Sequence, residues 1–138
     1  MEQHFSGNVA LKAILAREDG RVLLTRDERD GGLWEIPGGR MNVGERPEAA
    51  LMREMREEVG VEVFVTSIIY ADTIFHVSEC ETMMLVVYEV ALSSPISSLT
   101  CDVREVAEIA WVNETEYQRY TLFEPLKKAL DIYFEKRR

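Results

Sequence analysis

Apolar and β-branched residues occur along the chain in short runs that turn residues separate. Residues 9–16 and 22–25 flank the turn pair Asp19-Gly20, which predicts a hairpin of two strands. Further runs predict strand segments at residues 33–36, 61–65, 67–70, 82–92 and 106–112. The run over 82–92 is apolar on both faces, which is typical of a strand in the centre of a sheet.

Two other segments have helical periodicity. Residues 47–59 begin with Pro47, stop before Gly60 and repeat an apolar side chain every fourth residue, which predicts an amphipathic helix. Near the C-terminus, helical spacing predicts a closing helix that packs on the sheet, through Leu122, Leu126, Ala129, Leu130 and Tyr133. Mixed strands with two helices indicate an α+β fold.

Composition and charge narrow the function classes. With 138 residues, of which 46% are hydrophobic, the chain can bury one core, and we expect a single domain over residues 1–138. The net charge of −9 disfavours a nucleic-acid polymer as partner but allows a small phosphorylated ligand that cations bridge. The sequence lacks a membrane span and a signal-peptide pattern, so a cytoplasmic protein is expected. Cys80 and Cys101 are expected to be free thiols.

The predicted helix over 47–59 carries a patch of carboxylates. Residues three and four apart are neighbours on a helix, so Glu54, Glu57 and Glu58 share one face. Their mutual repulsion would be offset by Mg²⁺, a hard cation that takes oxygen ligands. From the helix alone, a solvated acidic face with salt bridges to Arg53 and Arg56 explains the pattern equally well.

The spacing around this helix decides between the two interpretations. Gly39 is followed after five residues by Glu45, and after seven more by the run Arg53-Glu54-Met55-Arg56-Glu57-Glu58-Val59-Gly60-Val61. This arrangement resembles the Nudix box at every position, and a chance match to its seven fixed residues is on the order of 10⁻⁹ per starting position. The preceding Trp34-Glu35-Ile36-Pro37-Gly38 and the strand pattern also look like a Nudix domain.

The resemblance implies a fold and an activity. The expected fold is an α/β/α sandwich with a mixed β-sheet, the box helix on one side and the C-terminal helix packed on the sheet. The expected activity is Mg²⁺-dependent, with Mn²⁺ as an alternative ion, and uses water to cleave a phosphoric anhydride bond in a nucleoside diphosphate derivative. A nucleotide is the expected partner, membranes are not, and a homodimer is left open.

The resemblance also implies a set of metal ligands. These are the Gly38 carbonyl, Glu54, Glu57 and Glu58, although Glu54 could instead position or deprotonate the attacking water. Glu105, in the loop before the last strand, is the first candidate for one more ligand. Glu108 is the second, and either could equally be an ordinary surface residue.

Supporting roles follow for the other box residues. Glu54 and Glu58 are the candidate catalytic carboxylates. Arg53 is expected to orient Glu57 through an ion pair on the helix surface, and Glu45 is expected to make a comparable supporting contact.

The choice of substrate lies outside the box. Arg26 could bind a phosphate, and Trp34 and Phe75 could stack on a base, but a surface charge and two core aromatics are the more ordinary interpretations. The sixteen residues after Gly60 lack the proline that ADP-ribose-type members tend to carry. This favours a nucleoside or deoxynucleoside triphosphate, giving a monophosphate and pyrophosphate. The alternatives are an ADP-ribose or nucleotide-sugar pyrophosphatase and a non-catalytic nucleotide-sensing Nudix module.

Overall fold

The computed structural model describes residues 2–28, 31–76, 79–102 and 104–137, with the His76 side chain excepted. Within these ranges the chain forms seven strands and two α-helices, so the α+β prediction is confirmed. In chain order they are β1 (Val9–Leu15), β2 (Val22–Arg26), β3 (Trp34–Glu35), β4 (Gly38–Arg40), α1 (Pro47–Val59), β5 (Val63–His76), β6 (Glu81–Leu92), β7 (Glu108–Val112) and α2 (Glu124–Glu135). None of the helices in the described ranges is long and apolar enough to span a membrane.

The strands are divided between two sheets. The larger sheet has the order β4-β1-β6-β5, in which β1 and β6 are parallel and the other pairs are antiparallel. The smaller sheet is antiparallel, with the order β3-β2-β7. Since β6 lies between two partners, the central position predicted for residues 82–92 is confirmed. The pairing of β4 with β1 ties the glycines before the box helix directly to the larger sheet.

Side chains of β1 alternate between two cores. Leu11, Ala13 and Leu15 pack in the core that contains α1, whereas Ala10 and Ile14 pack in the core that contains α2. Successive side chains of a strand point to opposite faces of its sheet. The larger sheet is therefore sandwiched between the two helices, as the α/β/α prediction requires.

The residues at which helix α1 begins and ends are determined by its own sequence. Pro47 occupies its first turn, and Gly60 ends it in the left-handed conformation, with its N–H donating to the Arg56 carbonyl at 3.1 Å. Its apolar stripe is fully buried, namely Ala50, Leu51, Met55 and Val59. Burying this stripe turns the glutamate-rich face away from the core, toward β4.

The hairpin predicted from residues 9–16 and 22–25 is wrong. The turn between them forms, with the Gly20 N–H donating to the Arg17 carbonyl at 2.9 Å. A single isolated bridge, Ala16 to Val22, then links the two segments, and β1 and β2 enter different sheets. The parallel partner of β1 is β6, a pairing between distant segments that a local pattern does not contain.

The strand segments predicted at 61–65 and 67–70 belong to one long strand. β5 runs from Val63 to His76 and follows β6 through two register shifts, at Val65/Ser67 and at Ile68/Tyr70. Such shifts are β-bulges, which interrupt the alternation of side chains. The interruption explains why the sequence pattern predicts two pieces.

Candidate metal and catalytic site

The site lies where β4 meets the polar face of α1. Two glycines of β4 allow its backbone to lie close to β1 and to the carboxylates of α1. Gly38 has φ +147°, and a Cβ atom there would lie 2.0 Å from the Leu11 carbonyl oxygen. The Gly38 N–H donates to the Glu58 carboxylate at 3.3 Å. A Cβ atom on Gly39 would lie 2.4 Å from the Glu54 carboxylate. Side chains at these two positions would therefore occupy space that the backbone of β1 and the Glu54 carboxylate already fill.

Arg53 is the centre of the hydrogen-bond network on this face. Its Nε and Nη2 donate to the two carboxylate oxygens of Glu45, at 2.6 and 2.9 Å. Its Nη1 donates to Glu54 and to Glu57, at 3.1 Å in both cases. Its Nη2 also reaches the Arg40 carbonyl at 3.3 Å. The ion pair expected between Arg53 and Glu57 is therefore present, and Glu45 holds Arg53 rather than a metal-binding carboxylate.

The carboxylates on this face of α1 and Glu45 differ in their electrostatic surroundings. Burial raises the pKa of Glu58 to about 7, although Lys12 and the Gly38 N–H act in the opposite direction. Burial also raises the pKa of Glu54, against the effect of Arg53. Hydrogen bonds from Arg53 lower the pKa of Glu45 to about 2. Two carboxylates thus carry an unfavourable charge in a poorly solvated place, which a cation would relieve.

Two further charged residues, which the sequence pattern did not indicate, lie within electrostatic range of Glu58. Lys12 on β1 and Glu35 on β3 form an ion pair with 3.7 Å between Nζ and Oε1. Both act on the charge of Glu58, Lys12 by attraction and Glu35 by repulsion. The available signal was a lone lysine in the apolar segment VALKAIL.

The loop before β7 is hydrogen-bonded to the C-terminal end of α1. The Thr100 and Asp102 N–H groups donate to the Val59 and Glu58 carbonyls, at 2.9 and 3.2 Å. Glu105 in this loop is close enough that its negative charge contributes to the raised pKa of Glu54. The loop therefore brings the charge of Glu105 within electrostatic range of Glu54.

The second candidate in this region, Glu108, has a different partner. Glu108 lies opposite Arg26 in the pairing of β2 with β7, and Arg26 donates to it from Nε at 2.9 Å and from Nη2 at 2.5 Å. A carboxylate held by an arginine in this way is engaged outside the α1 network. Of the two candidates, Glu105 is the one whose charge acts on Glu54, and its role as a ligand stays a prediction.

The candidate substrate residues lie on β2, β3 and β5, and the hydrogen bonds described around Arg53 do not include them. Trp34 is half-buried against the α2 core, and its ring meets Tyr120 edge-on with 5.0 Å between centroids. Arg26 pairs with Trp34 across β2 and β3. The Phe75 side chain is 54% exposed, so the core interpretation of this residue is wrong. A stacking role for Phe75 and Trp34 stays a prediction.

The carboxylate oxygens of α1 are suited to a hard cation, but they do not converge on one point. Among the described residues, no three His, Cys, Asp or Glu side chains are placed to hold a metal ion. Glu54 and Glu57 are turned toward Arg53, and Glu58 is turned toward the Gly38 N–H. Three carboxylates are nevertheless the ligand type that Mg²⁺ takes, and the absence of a side chain at Gly39 leaves them room. The ligand set stays a prediction.

Comparison with known proteins places the chain in a family. A family model for the NUDIX domain matches residues 8–132. The nucleoside triphosphatase NudI of Escherichia coli O81 (strain ED1a) is 31% identical over 126 residues, which cover 84% of this chain and 89% of that protein. An 8-oxo-dGTP diphosphatase of Proteus vulgaris is 48% identical over 46 residues, 33% of this chain and 39% of that protein. The segment matched to a MutT-like protein of Streptomyces ambofaciens likewise spans 44% of that relative.

Solved structures show the same fold. The NUDIX hydrolase from Nitrosomonas europaea has a TM-score of 0.80 at 20% identity, over 96% of this chain and 92% of that one. The solution structure of the E. coli ORF135 protein has a TM-score of 0.78 at 24% identity, over 94% of this chain and 90% of that one. The match to the family model, together with the similarity to NudI over 84% of this chain, shows that the chain belongs to the Nudix hydrolase family.

Proposed function

We propose that the protein is an Mg²⁺-dependent hydrolase that converts a nucleoside or deoxynucleoside triphosphate into the monophosphate and pyrophosphate. The observation that carries the proposal is the position of Glu54, Glu57 and Glu58 on one face of α1, with Glu54 against Gly39 and Glu58 bonded to the Gly38 N–H. The similarity to a nucleoside triphosphatase over 84% of the chain supports the triphosphate as substrate class.

Nudix hydrolases generally use divalent metal ions, and this chain has suitable donors. We propose that Glu54, Glu57, Glu58 and the Gly38 carbonyl hold Mg²⁺, with Glu105 as a further ligand and Mn²⁺ as an alternative ion. When bound, such an ion neutralises phosphate oxygens and acidifies water. Burial of Glu54 and Glu58 supports this assignment, because a nearby cation favours the charged form of a buried carboxylate.

Protein groups then position the water that attacks phosphorus. Glu54 is the proposed residue that orients this water and accepts its proton, because its carboxylate lies against the Gly39 backbone, which carries no side chain. Glu58 is the second catalytic carboxylate, held by the Gly38 N–H. Arg53, itself held by Glu45, positions Glu54 and Glu57 through the hydrogen bonds described above. A carboxylate displaced by even a fraction of an ångström loses much of its effect.

The substrate would lie across the neighbouring strands. Arg26 and Trp34 remain the proposed contacts for a phosphate and a base, because they are paired neighbours on β2 and β3. We further propose that residues 1–138 form a single domain that acts in the cytoplasm on a small nucleotide, rather than on a nucleic-acid polymer or a membrane. The net charge of −9 supports this choice of partner.

The reaction products test the proposal. Purified protein with Mg²⁺ is expected to convert at least one nucleoside or deoxynucleoside triphosphate into its monophosphate and pyrophosphate, observed by ³¹P NMR. EDTA is expected to abolish turnover, and excess Mg²⁺ to restore it, because the carboxylates need the ion to engage the phosphates. Preferential release of ribose 5-phosphate from ADP-ribose would favour the alternative substrate class. Tight nucleotide binding without any turnover would favour a sensing module.

A further inference from the structure

Lys12 is a charged side chain in a strand that is otherwise apolar. β1 has the sequence VALKAIL, and the Lys12 side chain is 13% exposed. An ammonium group in such a place is costly unless polar partners compensate for the lost water. A role that requires the charge would explain why the strand carries it.

The partner that the structure provides leaves this ammonium with unused donors. Glu35 lies 3.7 Å from Nζ, beyond the range of a good hydrogen bond. Across the described ranges, no hydrogen bond of the Lys12 ammonium is formed, although a lysine carries three donors. Its donors are therefore available to another acceptor.

The position of Lys12 is next to the proposed ion site. Lys12 pairs with Gly38 in the register of β1 and β4, and a Cβ atom on Gly38 would lie 2.8 Å from the Lys12 Cα atom. Gly38 in turn donates to Glu58. The positive charge of Lys12 also lowers the pKa of Glu58 against the effect of burial, so the two groups are within electrostatic range. A phosphate held beside Glu58 and Gly38 would lie within electrostatic range of this lysine.

The arginines around the site are bound by carboxylates. Arg53 forms two hydrogen bonds with Glu45, and Arg26 forms two with Glu108. Arg40 is paired with Glu79 and Glu81. Lys12 differs from them because its carboxylate partner is more distant. A substrate phosphate can therefore recruit Lys12 without first breaking a short ion pair.

We infer that Lys12 donates a hydrogen bond to a phosphate oxygen of the substrate, on the side of the site opposite the glutamates of α1. The inference rests on the proposed function and adds a substrate-contacting residue to it. The contact is made both before and during the reaction, so it contributes chiefly to binding. Glu35 orients the ammonium in the absence of substrate.

Steady-state kinetics of Lys12→Met test the inference. With Mg²⁺ and the deoxynucleoside triphosphate that the wild type hydrolyses fastest, KM is expected to rise at least about tenfold, because a charge-assisted hydrogen bond is lost. We expect kcat to stay within about threefold of the wild type. Lys12→Arg is expected to retain most of the affinity, and Lys136→Met, at an exposed lysine near the end of α2, serves as the control. An unchanged KM in Lys12→Met, or a loss confined to kcat, would overturn the inference.

A double variant separates phosphate binding from simple neutralisation of Glu35. If Lys12 only compensates for the charge of Glu35, then Lys12→Met/Glu35→Gln restores the wild-type KM, which would contradict the inference. We expect the double variant to keep a KM close to that of Lys12→Met, because the phosphate contact stays absent.

Binding of inorganic tripolyphosphate provides a readout that is independent of turnover. In isothermal titration with Mg²⁺ present, the wild type is expected to bind this ligand, and Lys12→Met at least about tenfold more weakly. Equal affinities, or no binding to the wild type, would refute the role of Lys12. The proposed function is judged separately, by the products that the wild type releases. The two proposals can therefore fail independently of each other.

Discussion

Replacement of Glu58 by glutamine is expected to lower kcat at least about 10²-fold, as is common when a metal site is damaged. Glutamine retains the shape of the side chain and an oxygen that accepts from the Gly38 N–H, so the fold should persist. Glu48→Gln, at an exposed acid in the first turn of the same helix, is the matched control and should remain near wild-type activity. Measurement of kcat at saturating nucleotide and Mg²⁺ checks this, and near-normal turnover in Glu58→Gln would remove Glu58 from the site.

The same variant should become more stable than the wild type in EDTA at high pH. Burial raises the pKa of Glu58 to about 7 from an ordinary 4.5, a difference that corresponds to roughly 3 kcal/mol. Since the folded state binds this proton more tightly than the unfolded chain, its contribution to stability is present below about pH 4.5. That contribution is lost as the pH rises through about 7. Glutamine cannot ionise, so the Glu58→Gln variant does not lose stability in this way as the pH rises.

Denaturant unfolding in EDTA at pH 5 and pH 8 measures this effect. The free energy of unfolding of the wild type, compared with that of Glu58→Gln, should decrease from pH 5 to pH 8. The decrease should be at most roughly 3 kcal/mol. A wild type that is the more stable protein at pH 8 would show that the charge of Glu58 is well compensated in the metal-free fold.

Gly38→Ala is expected to cost at least about 3 kcal/mol of stability and to abolish activity. The added Cβ would lie 2.0 Å from the Leu11 carbonyl oxygen and 2.8 Å from the Lys12 Cα atom, both parts of the β1 backbone. The strained φ costs roughly 1–3 kcal/mol, and overpacking against fixed atoms adds a similar amount. Denaturant unfolding with Mg²⁺ in excess measures the loss.

Gly20→Ala separates the two contributions. Gly20 also has a positive φ, +84°, but a Cβ atom there would meet nothing within 4 Å. The stability lost in Gly20→Ala should therefore come from backbone strain alone, about 1–2 kcal/mol. If the two variants lose the same stability, the close approach of β4 to β1 does not constrain the site as described.

Helix α1 shows what a local pattern can predict. Its bounds, Pro47–Val59, coincide with the predicted ones because a proline, a glycine and a four-residue repeat all lie within the segment. The spacing of the box predicts that Arg53 and the three glutamates share one face, and in the structure Arg53 donates to Glu54 and Glu57. The metal-binding and catalytic roles of these residues stay predictions, as does the extent of the domain over residues 1–138.

Strand pairing shows where local reasoning fails. The turn at Gly20 forms as predicted, yet β1 continues into a parallel pair with β6 that depends on two cores closing on opposite faces. Lys12 and Glu35 were missed for the same reason. They meet because β1 and β3 belong to different sheets that approach each other, and their spacing along the chain carries no sign of it. Phe75 looked like a core residue by type, but it lies exposed at the end of the edge strand β5.

Binding of Mn²⁺, followed by electron paramagnetic resonance, tests most directly the claim that the acidic face of α1 is a metal site. Mn²⁺ takes the same oxygen ligands as Mg²⁺ and loses its free-ion signal when bound. The wild type is expected to bind the ion in competition with Mg²⁺, and Glu54→Gln, Glu57→Gln and Glu58→Gln are each expected to weaken binding about tenfold or more. Glu48→Gln on the same helix should bind as the wild type does. Equal Mn²⁺ binding by wild type and all three glutamine variants would contradict the account.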